Sequence, residues 1–394
     1  MSNWKIPLAD TSIGEEEIEA VKDVLRSGWL TMGPITHSFE QKFAEYIGVK
    51  HALAVTNCTA ALHLAYVALE IQAGDKVICP SLTFVATANA IRYTGAVPVF
   101  ADITSTDNLN ISPDSIRSKI DDHTKGICVV HYGGYPCDME NILKIANEHN
   151  LYIVEDVAHA PGAACEVQTV LHSTSNTNAM FKRCGSIGNI GCFSFFSNKN
   201  MTTAEGGMLT TDSDVLAERI RILRSHGMTS LTWDREQGHS FSYDVVDDGF
   251  NYRIDEIRSA IGLKQLEKLN GSNQNRLSIQ KMYINLLKTT NEISIPFIKH
   301  EGVCTPHIFP ILLNQSNRHE FMEFLKTKGI QTSIHYPLIH KFSLYQRNYR
   351  DVKLEICESI EDRMVTLPLF SSMSNDNVYY VVDAIKSWFS KNHD

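Results

Sequence analysis

From residue 51 onward the sequence repeats one pattern: a short run that is almost wholly apolar, then a stretch with apolar residues at helical spacing. The runs His51–Thr56, Lys76–Cys79, Val97–Ala101, Gly126–His131 and Leu151–Glu155 read as strands. Ala60–Leu69, Val85–Tyr93, Ser112–Ile120 and Met139–His149 read as the helices that separate most of them. A strand that is apolar along its whole length must be covered on both faces, and a helix between successive strands allows them to pair in parallel. The pattern therefore predicts an α/β fold built on a mainly parallel sheet. Gly191–Phe196 and Gly207–Thr211 are the next strand candidates, followed by a helix at Val215–Ser225.

The flanks fit a two-part organisation. Ser12 is expected to cap a helix beginning near Glu15, with Glu15 at the capping-box position and Ile18, Val21, Val24 and Leu25 as its apolar stripe. Gly33-Pro34 marks a turn before a second amphipathic segment, Phe39–Tyr46. After a polar stretch containing Trp233, His239 and Tyr243, the helical run Ile254–Leu269 is expected to carry the chain out of a large domain, residues 1–270. Residues 271–394 then form a smaller α/β domain, with strands at Thr305–Leu313 and Gln331–His335 and helices at 318–328 and 377–389. His172–Asn178 reads as the most disordered segment.

Charge and cysteine usage narrow the function classes. With 36 Lys and Arg against 45 Asp and Glu, the net charge of -9 argues against nucleic acid as the main partner. The nine cysteines include no CxxC pair, and several sit in apolar strand-like runs, which fits free thiols in a reducing compartment. The start, MSNWKIPLADTSIGEEE, carries no basic segment followed by an apolar run, and no stretch reaches the ~18 apolar residues of a membrane span. A cytoplasmic location away from membranes is expected, and the acceptor-like triplet Asn57-Cys58-Thr59 then reads as a chance match.

The phrase CFSFFSNKN followed by MTTAEGGMLTT carries the strongest chemical signal. Its lysine, Lys199, comes just after an apolar strand and before Gly206-Gly207. Partial desolvation there lowers a lysine pKa and exposes a neutral amine for Schiff-base formation, although an exposed loop lysine satisfies the same local pattern. Asp156 closes the strand of LYIVEDVAHAPGA. A carboxylate at that strand end can hold the ring nitrogen of pyridoxal 5'-phosphate (PLP) protonated, bind a metal, or cap the following helix. His159 can pack on a ring, transfer protons, or serve a polar structural role. In VTNCTAALHLA the free amides and the Thr59 hydroxyl at a helix start can bind a phosphate or merely cap. Phe84 can stack on an aromatic cofactor or fill the core. No GxSxG, HExxH or Walker sequence occurs, and His and Cys lack metal-ligand spacing.

Taken in order, GWLTMGP, TNCTAAL, PSLTFVATANAI, GAVPVFADI, EDVAHAPGA, FSFFSNKNMTTAEGG, GFNYRIDEI and HYPLIHK resemble the DegT/DnrJ/EryC1/StrS family of PLP-dependent aminotransferases, mostly acting on nucleotide-linked keto sugars. The resemblance implies an aspartate-aminotransferase-like (type I) fold and a homodimer with cofactor sites between subunits. It implies Lys199 as the covalent cofactor lysine, Asp156 as partner of the pyridine nitrogen and Phe84 as the stacking aromatic. Cys58, Thr59 and Ser194 match positions around the cofactor phosphate, and His159 a position beside the ring that is often Gln. Asn251 is similar to a residue that reaches the phosphate of the neighbouring subunit, while Arg253 and His335 match weaker substrate positions. L-Glutamate is the implied amino donor. Relatives that dehydrate sugars carry His in place of the lysine, so Lys199 favours transamination. A free sugar or cyclitol acceptor, or a PLP-fold protein without turnover, remain the other readings. The polar segment between Gly162-Ala163 and Gly185-Ser186 is longer than in the family, as a surface loop near the substrate entrance or as a solvated excursion.

Overall fold

A computed structural model of the chain describes residues 4–170, 177–230, 242–315 and 317–391. Its centre is a seven-stranded sheet of β1 (His51–Val55), β2 (Lys76–Pro80), β3 (Val97–Ala101), β6 (Thr124–Val130), β7 (Tyr152–Asp156), β10 (Ile190–Ser194) and β11 (Gly207–Thr211). The order is β1-β11-β10-β7-β6-β2-β3. Strands β10, β7, β6, β2 and β3 pair in parallel, and β11 runs antiparallel to both of its neighbours. Strand and helix positions follow the apolar periodicity closely, and Val97–Ala101, Gly207–Thr211 and the helix Met139–His149 match end for end. Two hairpins leave the sheet: β4 (Ile103–Ser105) with β5 (Asn108–Ile111), and β8 (Ala164–Val170) with β9 (Thr177–Arg183). The second hairpin is the long polar segment. Residues 171–176, most of the stretch expected to be disordered, lie outside the described residues, as do Trp233 and His239.

The C-terminal part forms a second sheet, β12 (Ile293–Ser294), β13 (Phe309–Leu313) and β14 (Met364–Leu367). Its own core gathers Tyr283, Phe309, Phe321, Val365 and Val381. The strand expected at Thr305–Leu313 starts late because Thr305 and His307 instead donate to the carbonyls of Gly134 and Gly133. Gln331–His335 is not a strand; only Ser333 pairs, bridging to Thr366. The helix read as Ile254–Leu269 is in fact Glu256–Leu287, and it runs through residue 270 without a break. No helix among the described residues is long and apolar enough to cross a membrane.

Two helix starts depart from the expectation. In α1 (Glu15–Ser27) the cap is Gly14 rather than Ser12, and the Glu17 carboxylate, not that of Glu15, accepts from the Gly14 N–H at 2.8 Å. Glu17 is buried because it also accepts from Gln265 and pairs with Lys268 of the long helix. The helix thus docks through polar contacts, and of its expected apolar stripe Val24 is buried while Ile18 and Leu25 are exposed. At the start of α2 (Pro34–Ile47), Glu256 takes hydrogen bonds from the amides of Gly33, Ile35 and Thr36 and from the Thr36 hydroxyl, all within 2.9 Å. Removing this buried carboxylate strands three amide donors. Glu256→Ala should therefore lower the unfolding free energy by on the order of 3 kcal/mol in denaturant titration.

Candidate active site

A cavity of about 740 Å³ opens over the carboxyl ends of the parallel strands. This is where side chains just past the strands escape the sheet's hydrogen-bonded interior. Lys199, Asp156, His159, Cys58, Thr59, Phe84, Ser194 and His335 all line it. Asn251 and Arg253 do not. Asn251 is exposed and pairs through its backbone with Ser225. Arg253 pairs through its backbone with Val55, and its buried Nη1 has no hydrogen-bond partner among the described residues. Burial, together with the neighbouring Arg224 cation, pushes the Arg253 pKa down.

Lys199 leaves the sheet directly after β10, where its amide donates to the Phe196 carbonyl. Asn200 anchors this turn: its side-chain amide donates to Asn273 Oδ1 at 2.9 Å and to the Thr305 carbonyl at 3.1 Å. Enclosure of the amine lowers the Lys199 pKa to about 8, against the opposing pull of Asp156 and Cys58. Gly206-Gly207 has a steric reason. A Cβ on Gly207 would sit 2.5 Å from the Asn57 carbonyl carbon, so only glycine lets the Asn57-Cys58 turn close against β11.

That turn starts α3 (Cys58–Ala68). Asn57 Oδ1 accepts from the Ala60 amide at 2.8 Å, and no hydrogen bond among the described residues reaches the Cys58 or Thr59 amides. Two free amides at the positive end of an eleven-residue helix, beside Ser194, suit a phosphate.

Strand alternation separates the paired acids of EDVAHA. Asp156 faces the cavity, where its Oδ2 accepts from Thr87 at 2.9 Å and its Oδ1 from the Ala158 amide at 3.1 Å. Burial raises its pKa, while these two bonds and the Lys199 cation oppose the rise. Glu155 points the other way and gathers the amides of Gly185, Ile187 and Gly188 together with His131 Nε2. Burial pushes its pKa up, but the His131 bond and the amides outweigh that and leave it lowered. His131, Glu155 and Cys184 lie within metal-binding reach of one another. Both ring nitrogens of His131 are nevertheless engaged, with Glu155 and with the Cys137 amide, so the trio is a structural brace.

His159 is buried and held neutral, its pKa pushed far down by enclosure and then by Lys199 and His335. Its Nδ1 accepts from the Gly133 amide at 3.2 Å, and its Nε2 meets the Tyr336 hydroxyl at 2.9 Å. Phe84 is 57% exposed and turns its ring toward the cavity, with a centroid 5.9 Å from that of Tyr336. His335 holds Thr366 Oγ1 with Nδ1 at 3.1 Å, and burial lowers its pKa to about 4.

Sequence reasoning missed Tyr336, Thr83, Thr87, Tyr252 and Asn198, of which all but Thr87 line the cavity. A signal existed for Thr87, three residues past Phe84 at the start of α4 (Ala86–Tyr93), one helical turn apart. For Tyr336 the signal was the HYPLIHK match beside His335; its local pattern alone does not show that the C-terminal part folds back over the sheet.

An amine that can be neutral at modest pH, a buried carboxylate, a free helix start and an exposed aromatic ring facing one cavity make up the set that PLP requires. The comparisons agree. Residues 11–386 match the model of the DegT/DnrJ/EryC1/StrS aminotransferase family. The chain belongs to that family. This aminotransferase is 39% identical to the uncharacterized protein MJ1066 of Methanocaldococcus jannaschii over 387 residues, 96% of each chain. It is 37% identical to the spore coat polysaccharide biosynthesis protein SpsC of Bacillus subtilis, over 98% of this chain and 97% of that one. Its structure superposes on the PLP form of the putative sugar aminotransferase Spr1654 from Streptococcus pneumoniae with a TM-score of 0.88 and 27% identity, covering 98% of this chain and 99% of that one. The aminotransferase has the type I PLP-dependent fold, and PLP is its cofactor.

The Thr87–Asp156 bond yields a direct test. Thr87→Val keeps the side-chain shape but removes the O–H donor to the carboxylate. The carboxylate should then hold its charge less well, weakening PLP retention by roughly tenfold in equilibrium dialysis, the scale of one hydrogen bond to a charged group.

Proposed function

We propose that this aminotransferase moves an amino group from L-glutamate to a keto sugar carried on a nucleotide. The observation that carries the reading is the enclosed Lys199 amine, with a pKa near 8, facing the Asp156 carboxylate in one cavity beside a free helix start. Bound PLP supplies an electron sink that takes up the amino group from the donor and hands it to the acceptor carbonyl. Lys199 would hold it covalently, and once displaced by the donor its neutral amine would take the donor's α-proton and return a proton to the carbon on the other side of the transferred nitrogen. Asp156 stays anionic and keeps a proton on the pyridine nitrogen. Phe84 and His159 flank the ring, and Cys58, Thr59 and Ser194 hold the phosphate. His335 contacts substrate in its own chain's cavity, and Arg253, which does not line that cavity, contacts substrate at the partner's site.

Phe84 lines the cavity yet is largely exposed, which supports completion by a second subunit. In the proposed homodimer Asn251, exposed and away from its own chain's cavity, reaches the phosphate of the partner site. Residues 1–270 act as the large PLP-binding domain and 271–394 as the small one, joined by the continuous helix Glu256–Leu287. The enzyme works in the cytoplasm, which its free cysteines support. The sugar acceptor draws support from the Spr1654 and SpsC similarities.

The test is a single-turnover assay. L-Glutamate alone should release about one 2-oxoglutarate per active site, and a panel of nucleotide-linked keto sugars should then discharge the enzyme. No 2-oxoglutarate release would reject glutamate as donor. Discharge by free keto sugars or cyclitols alone would reject the nucleotide-linked acceptor.

A further inference from the structure

His159 and Tyr336 meet in a way that fixes where one proton must point. The Gly133 amide donates to His159 Nδ1, so that nitrogen carries a lone pair and the neutral ring bears its hydrogen on Nε2. Nε2 therefore donates to the Tyr336 oxygen at 2.9 Å. A phenol that accepts there still has its own proton to give, and no other partner for the Tyr336 hydroxyl exists among the described residues. The Tyr336 ring is itself fixed, lying 24° from the His159 plane at 5.8 Å and tilted against Phe84 at 5.9 Å. All three residues line the cavity.

We infer that Tyr336 donates its hydroxyl proton to the phenolic ring oxygen of bound PLP, and that His159 acts through it as a positioning residue. The inference rests on the proposed placement of the cofactor ring between Phe84 and His159, since the Tyr336 hydroxyl bonds His159 in the same cavity and its ring packs against Phe84. A donor at that oxygen stabilises its negative charge. The proton shared between the oxygen and the lysine–cofactor linkage is then released at lower pH.

The test is the pH titration of the visible absorbance of PLP-loaded enzyme, without substrate. Tyr336→Phe keeps the ring contacts and should move the midpoint up by about one pH unit or more, the scale of losing one hydrogen bond to a charged group. His159→Leu should produce a similar rise. His159→Gln, which offers both an acceptor and a donor, should stay within about 0.3 unit of the parent. In the Tyr336→Phe background, His159→Leu should add less than about 0.3 unit, because the two act as one unit. An unmoved midpoint in Tyr336→Phe overturns the inference, as does a midpoint that moves down. An additive shift in the double variant overturns the positioning role of His159. Borohydride labelling of Lys199 in Tyr336→Phe separates these outcomes from failure of the lysine reading: labelling at Lys199 with no spectral shift rejects the Tyr336 assignment alone.

Discussion

Lys199→Ala should abolish transamination, lowering kcat by more than about 10⁴-fold, because it removes both the covalent attachment and the proton-transferring amine; general acid–base catalysis alone is worth roughly 10²–10⁴-fold. The fold should survive, since among the described residues Lys199 makes no side-chain hydrogen bond. A second readout follows from its pKa. The folded value is about 8, below the ordinary 10.5, so between those values the folded chain binds fewer protons than the unfolded one. Stability of the cofactor-free protein should therefore rise with pH across that window, with no contribution from this group below about 8. Lys199→Met should flatten the rise, as measured by denaturant midpoints at a series of pH values. A kcat within tenfold of the parent would remove Lys199 from the chemistry, whatever the stability profile did.

Asp156→Asn should lower kcat of the glutamate half-reaction by roughly 10²–10³-fold, the usual cost of removing a preorganised electrostatic partner from a buried site. The substitution is nearly isosteric and retains an oxygen that can accept from Thr87 or from the Ala158 amide, so a helix cap would survive it. This separates the two local readings of the residue. A structural cap predicts a change of less than about threefold in kcat and a modest loss of stability; an anionic partner for the ring nitrogen predicts a large loss in kcat with little change in melting temperature. Asp156→Glu keeps the charge and should recover part of the activity. Burial raises the Asp156 pKa, so activity should also fall on the acid side at a higher pH than an exposed aspartate would give.

Sheet and site differ in how far the sequence discloses them. The strands of the large sheet are apolar along nearly their whole length, so their positions follow from burial on both faces, and Val97–Ala101 and Gly207–Thr211 can be read without a structure. Errors came where tertiary contacts override local pattern. Gly14 displaced Ser12 as a cap because Glu17 is drawn down by Lys268 and Gln265, hundreds of residues away. Thr305 and His307 left a strand-like run to close the Gly133-Gly134 turn. In the cavity, the residues of strand ends and helix starts were legible because β–α junctions expose side chains at a predictable edge. Glu155 and Asp156 could not be told apart by composition, only by which face of β7 each takes. Tyr336 lay inside the HYPLIHK match but was not singled out, because nothing in its local pattern announces that the segment returns over the sheet to His159.

The most direct test of the central claim is to find the lysine that holds the cofactor. The enzyme, purified with its cofactor and reduced with borohydride, is digested and its peptides are mapped by mass. A phosphopyridoxyl group is expected on Lys199 alone, in the peptide that carries Asn200. A label on any other lysine, or none despite a full complement of bound PLP, would contradict it.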